Sequence, residues 1–140
     1  MATGVEDAMM EVLFARLATL VLAPAHPVAW PNLNFTKPSN NRYLEARFVP
    51  NASTRFGVDE GPHDRFGFLQ VNVRDKLNTG ARVTGIASAV AAHFPSDLAL
   101  FHDIGIKVRI MKAPDVGDMM IETSPPGVMV PVLIPYECLA

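Results

Sequence analysis

Two prolines within one regular strand pattern limit how this chain can build a sheet. From Val128 to Tyr136, every second residue is apolar, which is the period of a strand with one buried face. Pro131 and Pro135 lie four residues apart in that pattern, so their missing N–H groups belong to the same edge of the strand. Because a central strand needs donors on both edges, the pattern predicts an edge strand, or a strand that pairs only on its other side.

Apolar residues at helical spacing predict two helices. The first runs from Val5 to Val21, and the second has an apolar face that begins at Val83 and ends at Phe94. The start and stop signals are Thr3 and Glu6 at capping-box spacing with Pro24 for the first helix, and Asn78 or Thr79 with Pro95 for the second.

Alternating apolar residues predict strands at 43–49, 66–73 and 104–110 before the final one. A connector rich in proline and asparagine, residues 24–42, contains a possible short strand at 28–30. The polar residues 51–64 lie between two strands and predict a hairpin with a long tip, longer than folding requires.

The order of these elements is α-β-β-α-β-β, with the long β-hairpin loop between the first two strands. It predicts an α+β fold in which two helices pack on one face of a mostly antiparallel sheet. The chain has 140 residues, which suits a single domain spanning 1–140 with a sizeable core.

Composition excludes several classes of protein. Twelve Lys and Arg against 14 Asp and Glu give a net charge of −2, which disfavours a strongly basic nucleic-acid binder. Lys107, Arg109 and Lys112 form only a short basic strip, typical of the solvated side of a strand. No apolar run approaches the roughly 18 residues of a membrane span, so no membrane partner is expected. The single cysteine, Cys138, excludes an internal disulfide.

The residue types that carry chemistry do not form a recognisable motif. The four histidines lack metal-ligand spacing, and Cys138 follows a strand near the C-terminus rather than a nucleophile-presenting turn. No catalytic, cofactor-binding or metal-binding residue is therefore predicted. The carboxylates of the 51–64 loop favour a solvated loop with compensating arginines; a protein contact, a calcium site or an acid/base pair is the alternative.

Short sequence words along the chain resemble one known family. They are Ala15-Arg16-Leu17-Ala18, Val28-Ala29-Trp30-Pro31-Asn32, Phe35-Thr36, Tyr43-Leu44-Glu45, the segment from Arg65 to Val73, Ala91-Ala92-His93-Phe94-Pro95, and Val130-Pro131-Val132 before Tyr136. In this order they resemble the phage tail terminator-like proteins of long-tailed phages, prophages and gene transfer agents. The resemblance covers nearly the whole chain.

The resemblance implies a non-enzymatic virion protein, assembled in the host cytoplasm, that forms a homo-hexameric ring. Such a ring caps the head-proximal end of the tail, contacts the tail tube protein and stops its polymerisation. It also joins a neck or connector (stopper) protein, and DNA passes through its lumen without sequence-specific binding. The alternatives are another head–tail connector or neck protein of the same architecture and, in a different class, a small-molecule-binding α+β domain, which needs a deep pocket with convergent polar groups.

A ring of this kind needs contact surfaces between subunits. The sequence offers three: the tip of the 51–64 loop, the proline-marked final strand, and the excursion at 112–127, which is rich in methionine and proline. The predicted interface residues are Arg55, Phe56, Asp59, Glu60 and His63 in the loop, and Met119, Met120 and Ile121 in the excursion.

Overall fold

The computed structural model of the protein describes residues 4–22, 25–51, 54–55, 63–123 and 126–139. In this part of the chain, two helices accompany one large sheet, which confirms the α+β class. The helices are α1 (Val5–Ala18) and α2 (Arg82–Ala92). The strands are β1 (Val28–Ala29), β2 (Tyr43–Pro50), β3 (Thr54–Arg55), β4 (His63–Asp75), β5 (Ala99–Phe101), β6 (Lys107–Ile110), β7 (Asp115–Val116), β8 (Met120–Thr123) and β9 (Pro126–Leu139).

The first helix packs an apolar stripe into the core, and its N-cap is Gly4 rather than the predicted Thr3. Gly4 has no side chain to accept a hydrogen bond, and Thr3 lies outside the described residues. Glu6 forms an ion pair with Arg65 of β4 and so fastens the first turn to the sheet. The fully buried residues of α1 are Ala8, Met9, Leu13 and Leu17.

The second helix begins later than predicted. Asn78 has a left-handed backbone (φ 63°) in the preceding turn, and the Thr79 hydroxyl donates to the Lys76 carbonyl at 3.1 Å. The N-cap is Ala81, so no side chain caps α2. The predicted apolar face is confirmed by the buried residues Val83, Ile86, Ala87, Val90 and Phe94.

The sheet is mixed, whereas the sequence predicted a mostly antiparallel sheet. Its main strand order is β1-β2-β4-β9-β6-β5, while β3 pairs with β4, and β7 and β8 pair with β9. The β1–β2 pair is parallel, and the other described pairs are antiparallel. The long β4–β9 ribbon, in which Asp64 to Asp75 face Leu139 to Val128, forms the middle of the sheet.

The final strand, β9, is central, so the predicted edge position is wrong. It pairs along its length with β4 on one side and with β8, β7 and β6 in turn on the other. Pro131 accepts a hydrogen bond from the Gly117 N–H at 2.8 Å, and Pro135 accepts one from the Met111 N–H at 3.0 Å. Since a strand residue directs its N–H and C=O to the same side, both missing donors face the side of the three short strands. Pro131 lies between the parts of β9 that pair with β8 and β7, and Pro135 between those that pair with β7 and β6. At these two positions no neighbouring strand needs a backbone donor from β9.

The short strands β3, β5, β7 and β8 were not predicted from the sequence, whereas β1 (Val28–Ala29) lies within the possible strand at 28–30. The stretch at 104–110 yields only β6, and β5 precedes it. The 112–127 excursion, expected as a loop, contains β7 and β8. Elements of two to four residues are too short to show alternation, so their pairing with β9 decides their conformation.

One face of the sheet and both helices share a continuous core. Alternate residues of the central ribbon point into it, with Leu69 opposite Ile134 and Val71 opposite Val132. These four side chains are fully buried. The other face, the polar face, carries Gln70, Asn72 and Arg74 of β4 together with Met129 and Leu133 of β9.

Candidate functional site: two exposed apolar surfaces

The predicted loop residues are described only in part. Arg55 of β3 and His63 of β4 are register partners, and the structure describes them through this backbone pairing. Phe56, Asp59 and Glu60 lie outside the described residues. Their role as interface residues stays a prediction.

The predicted excursion residues lie at the surface. We call residues 111–121 the projecting segment, because it runs along β9 and leaves apolar side chains in solvent. Met119, Met120 and Ile121 are 40%, 48% and 69% exposed, and Met111 is 43% exposed. Four apolar side chains exposed to this extent within eleven residues make the segment a candidate contact surface.

The backbone of the projecting segment is anchored to the sheet. Gly117 bonds to the Pro131 carbonyl, and a Cβ at this glycine would lie 2.8 Å from the Pro131 Cγ atom. Lys112 and Asp115 form an ion pair of 3.3 Å between exposed side chains. The segment therefore approaches β9 closely while its side chains remain available to a partner.

An ionic network connects β8, at the end of the projecting segment, to β4 and β2 of the sheet. Arg74 of β4 donates to Glu45 of β2 and to Glu122 of β8, each at 2.6 Å. Burial alone would lower the pKa of Arg74, but its hydrogen bonds and ion pairs with the two carboxylates outweigh that effect and raise it. The Arg74 guanidinium therefore stays charged. The carboxylates of Glu45 and Glu122, on β2 and β8, balance its charge.

A second apolar surface lies on the opposite flank. We call it the α1 groove: a depression of about 810 Å³ between α1 and the segment after β1. Its walls include Met10 and Phe14 of α1, with Trp30 and Leu33 across from them. The Phe14 and Trp30 rings lie 5.0 Å apart, and Leu33 is 67% exposed.

The groove was not predicted from the sequence. A signal was present nonetheless, since Met10 and Phe14 are one helical turn apart and lie off the buried stripe of α1. A helix that is apolar on a second face has more to bury than its own core provides.

The titratable groups outside these surfaces act as structural contacts. His93 lies 2.9 Å from the Arg16 carbonyl oxygen and 2.8 Å from the Thr19 hydroxyl, and burial lowers its pKa. Burial also raises the pKa of the Cys138 thiol, so it stays protonated. Among the described residues, no group of three or more His, Cys, Asp or Glu side chains is placed to hold a metal ion.

Two residues of the predicted basic strip, Arg109 and Lys112, form ion pairs with neighbours. Arg109 donates to Asp97 at 2.7 Å and also pairs with Glu137. These hydrogen bonds raise the pKa of Arg109, and the bond to Glu137 has the largest effect. Lys112 forms an ion pair with Asp115.

None of the helices in the described part of the chain is long and apolar enough to cross a membrane.

Together the fold and its surfaces define a class: a small α+β domain whose exposed apolar side chains are suited to contacts with other proteins. The comparison with protein families specifies it further. Residues 8–136 match the family model described as phage tail terminator protein, so the chain belongs to that family and is a structural component of a virion tail.

Comparison with solved structures shows that another protein has the same fold. One solved structure is 28% identical to this chain and superposes with a TM-score of 0.75 over 96% of each chain. No curated protein matches the sequence.

Proposed function

We propose that the protein is the tail terminator of its phage or prophage, acting as a homo-hexameric ring. The ring caps the head-proximal end of the tail tube, stops addition of tube subunits, and offers its other side to a neck or connector protein. The observation that carries this proposal is the family match, which covers residues 8–136 and thus nearly the whole fold.

The two apolar surfaces support assembly into a ring. A subunit that exposes Ile121 and Leu33 to 69% and 67% gains stability when a neighbour covers them. In the proposed ring, the loop residues Arg55, Phe56, Asp59, Glu60 and His63 extend the contact to an adjacent subunit or to the tube.

The charge pattern supports passage of DNA through the lumen without sequence-specific binding. The net charge is −2, and Arg74 and Arg109 on the polar face are each neutralised by two carboxylates. Paired guanidinium groups attract phosphates weakly, so DNA is not retained.

The test is deletion of the gene for this chain in its phage or prophage, followed by electron microscopy of the tails. A terminator deletion yields tubes of uncontrolled length, and a plasmid copy restores the normal length. Loss of a neck protein instead leaves tails of normal length that fail to join heads. Normal-length tails in the deletion strain would therefore contradict the proposal and favour the neck-protein alternative.

The loop residues have a test of their own. Alanine at Arg55, Phe56, Asp59 and Glu60 together is expected to weaken ring assembly or the control of tail length. Thermal unfolding of the purified variant checks that the fold persists. A folded variant with unchanged rings and unchanged tails would show that the loop contacts neither a subunit nor the tube.

A further inference from the structure

We propose that the α1 groove binds a basic amphipathic helix of another tail protein. The inference rests on the proposed function, which supplies a tube or neck protein as the partner. It goes further by assigning this surface to a protein other than a second copy of the chain, and by stating the chemistry of the segment that fills it. The projecting segment stays available for the contact between neighbouring subunits.

The charge of the groove is the first reason. Among the described residues, the charged side chains that line it are Asp7 and Glu11, both acidic and one helical turn apart on α1. Asp7 makes no ion pair with any described residue, and Glu11 stays 65% exposed although it lies 3.1 Å from His102 Nε2. Two like charges at this spacing destabilise a helix, and a cation from a partner removes that cost. The groove therefore favours a segment that carries Lys or Arg.

The exposed apolar segments elsewhere in the described chain carry no net positive charge. The projecting segment has Lys112 against Asp115 and Asp118, and Lys112 already pairs with Asp115. The exposed apolar turn at 101–107 contains one Lys and one Asp. The residues outside the described part of the chain include neither Lys nor Arg. Because none of these segments is basic, the groove fits a different protein better than a second copy.

The walls of the groove favour a helix over an extended strand. One wall is α1 itself, whose backbone N–H and C=O groups bond within the helix. An extended segment would leave its own backbone groups without partners on this apolar surface, whereas a helix satisfies them internally. The α1 residues of the groove reach from Asp7 to Ala18, about 16 Å along the axis, which matches roughly three turns of a partner helix.

The apolar part of the groove defines the anchors of the partner. The Phe14 and Trp30 rings, 5.0 Å apart, form its aromatic part, and Leu33 of the same groove is 67% exposed. Ala15 and Ala18 are exposed and short, so a second helix can approach α1 closely. The acidic residues lie towards the start of α1 and the alanines towards its end. The partner helix therefore has Lys or Arg at one end and apolar residues at i, i+3 or i+4, and i+7 along the rest.

The experiment measures the binding of peptides to the full chain. Overlapping fluorescent peptides of about 20 residues cover the tube and neck proteins encoded by the same phage or prophage, since shorter helices form poorly alone. Fluorescence anisotropy identifies the peptides that bind. These are expected to have a net positive charge and an apolar face at helical spacing. Intact tube and neck proteins are measured alongside by sedimentation velocity.

Three surface substitutions show whether the groove is the binding site. Leu33→Asp places a charge among the apolar anchors and is expected to weaken binding about tenfold or more. Asp7→Lys reverses a charge at the acidic end and is expected to weaken binding about three- to tenfold, more at low salt. Val21→Asp is the matched control, because Val21 is 91% exposed, lies outside the groove and is expected to leave binding unchanged. Thermal unfolding checks that each variant is folded.

A charge exchange tests the recognition itself. Replacing Lys or Arg of a bound peptide by Glu is expected to weaken its binding to the wild type. The same peptide is expected to recover binding to Asp7→Lys, because the two opposite charges are restored in exchanged positions. Failure to recover at every basic position of the peptide would contradict recognition of a cation by Asp7.

Three further results would overturn the proposal. They are bound peptides that are acidic or neutral, equal binding by Leu33→Asp and the wild type, and no binding of any peptide or intact protein at roughly 1 mM. Self-association of the wild type that Leu33→Asp abolishes would also overturn it and identify a second copy as the occupant. Tail length in the deletion strain is scored separately. Normal-length tails there contradict the terminator proposal, whereas peptide binding reports on the groove alone.

Discussion

Arg82 holds the buried carboxylate of Asp75 with two hydrogen bonds of 2.8 Å, one to each oxygen. Asp75 ends β4 and Arg82 begins α2, so the pair fixes the helix to the sheet at the point where the chain turns. The Lys76 N–H donates a third bond to this carboxylate, also at 2.8 Å. A buried carboxylate is tolerated here because its oxygens are satisfied.

This pair predicts loss of stability in acid. Burial alone would raise the pKa of Asp75, but the hydrogen bonds from Arg82 and Lys76 and the charges of Arg82 and Arg42 outweigh it and lower the pKa. A lowered folded-state pKa contributes stability above the unfolded pKa of about 3.9 and loses it as pH falls through the folded value. The free energy of unfolding, measured in urea between pH 7 and pH 2.5, is expected to fall more steeply with acid in the wild type than in Asp75→Asn. At pH 7 the variant is expected to lose about 2 kcal/mol, the value for hydrogen bonds to a charged group. Parallel pH profiles for the two proteins would contradict the assignment.

Two glycines predict opposite responses to alanine. A Cβ at Gly67 would meet the Val49 carbonyl oxygen and lie 2.9 Å from the Pro50 Cα, both of them backbone atoms. Gly67→Ala is therefore expected to destabilise the protein by about 2 kcal/mol or more. At Gly85 in α2, nothing lies within 4 Å of the added methyl group, and Gly85→Ala is expected to stabilise by about 0.5–1 kcal/mol. Chemical denaturation of both variants is the measurement, and equal shifts would refute this account of the β2–β4 contact.

The hydroxyl of Tyr136 predicts a gain from its removal. The side chain is fully buried and stacks on Phe48 with ring centroids 5.5 Å apart. Among the described residues its oxygen has no hydrogen-bond partner, and burial raises the pKa of the phenol above its usual range. In urea denaturation, Tyr136→Phe is expected to have an equal or higher free energy of unfolding, with a gain of up to about 1 kcal/mol. A loss of more than about 1 kcal/mol would contradict the assignment of this hydroxyl as an unpaired buried group.

The thiol of Cys138 predicts slow labelling. It is 1% exposed, and burial raises its pKa, so the reactive thiolate is scarce in the folded protein. A chromogenic disulfide reagent at pH 8 is expected to react only on the timescale of unfolding. The same reagent in urea provides the control, and rapid labelling of the native protein would contradict the buried position.

The larger elements were predictable because they carry their own periodic signal. The strands at 43–49 and 66–73 and the apolar face of α2 were placed within a few residues, since alternation and helical spacing are local properties. Phage tail terminator membership was also evident in the sequence, because its short words occur in a fixed order along nearly the whole chain.

Helix starts were less predictable. Asn78 and Thr79 are good N-caps by residue type, yet the chain turns through both and α2 begins after Ala81. The reason is the Arg82–Asp75 pair, which positions the first turn from outside the helix. A side-chain cap contributes only about 1 kcal/mol, so tertiary contacts can override the local preference.

The sequence by itself determined that Pro131 and Pro135 withhold their donors from one edge of β9. Only the tertiary structure decided that three short strands occupy that edge and leave their gaps at the two prolines. In the same way, the sequence showed that residues 119–121 are apolar, and the fold decided that they face solvent opposite a groove on the other flank. A strand pattern defines which face and edge a residue belongs to, whereas the partner at that edge is set by contacts between segments distant in the chain.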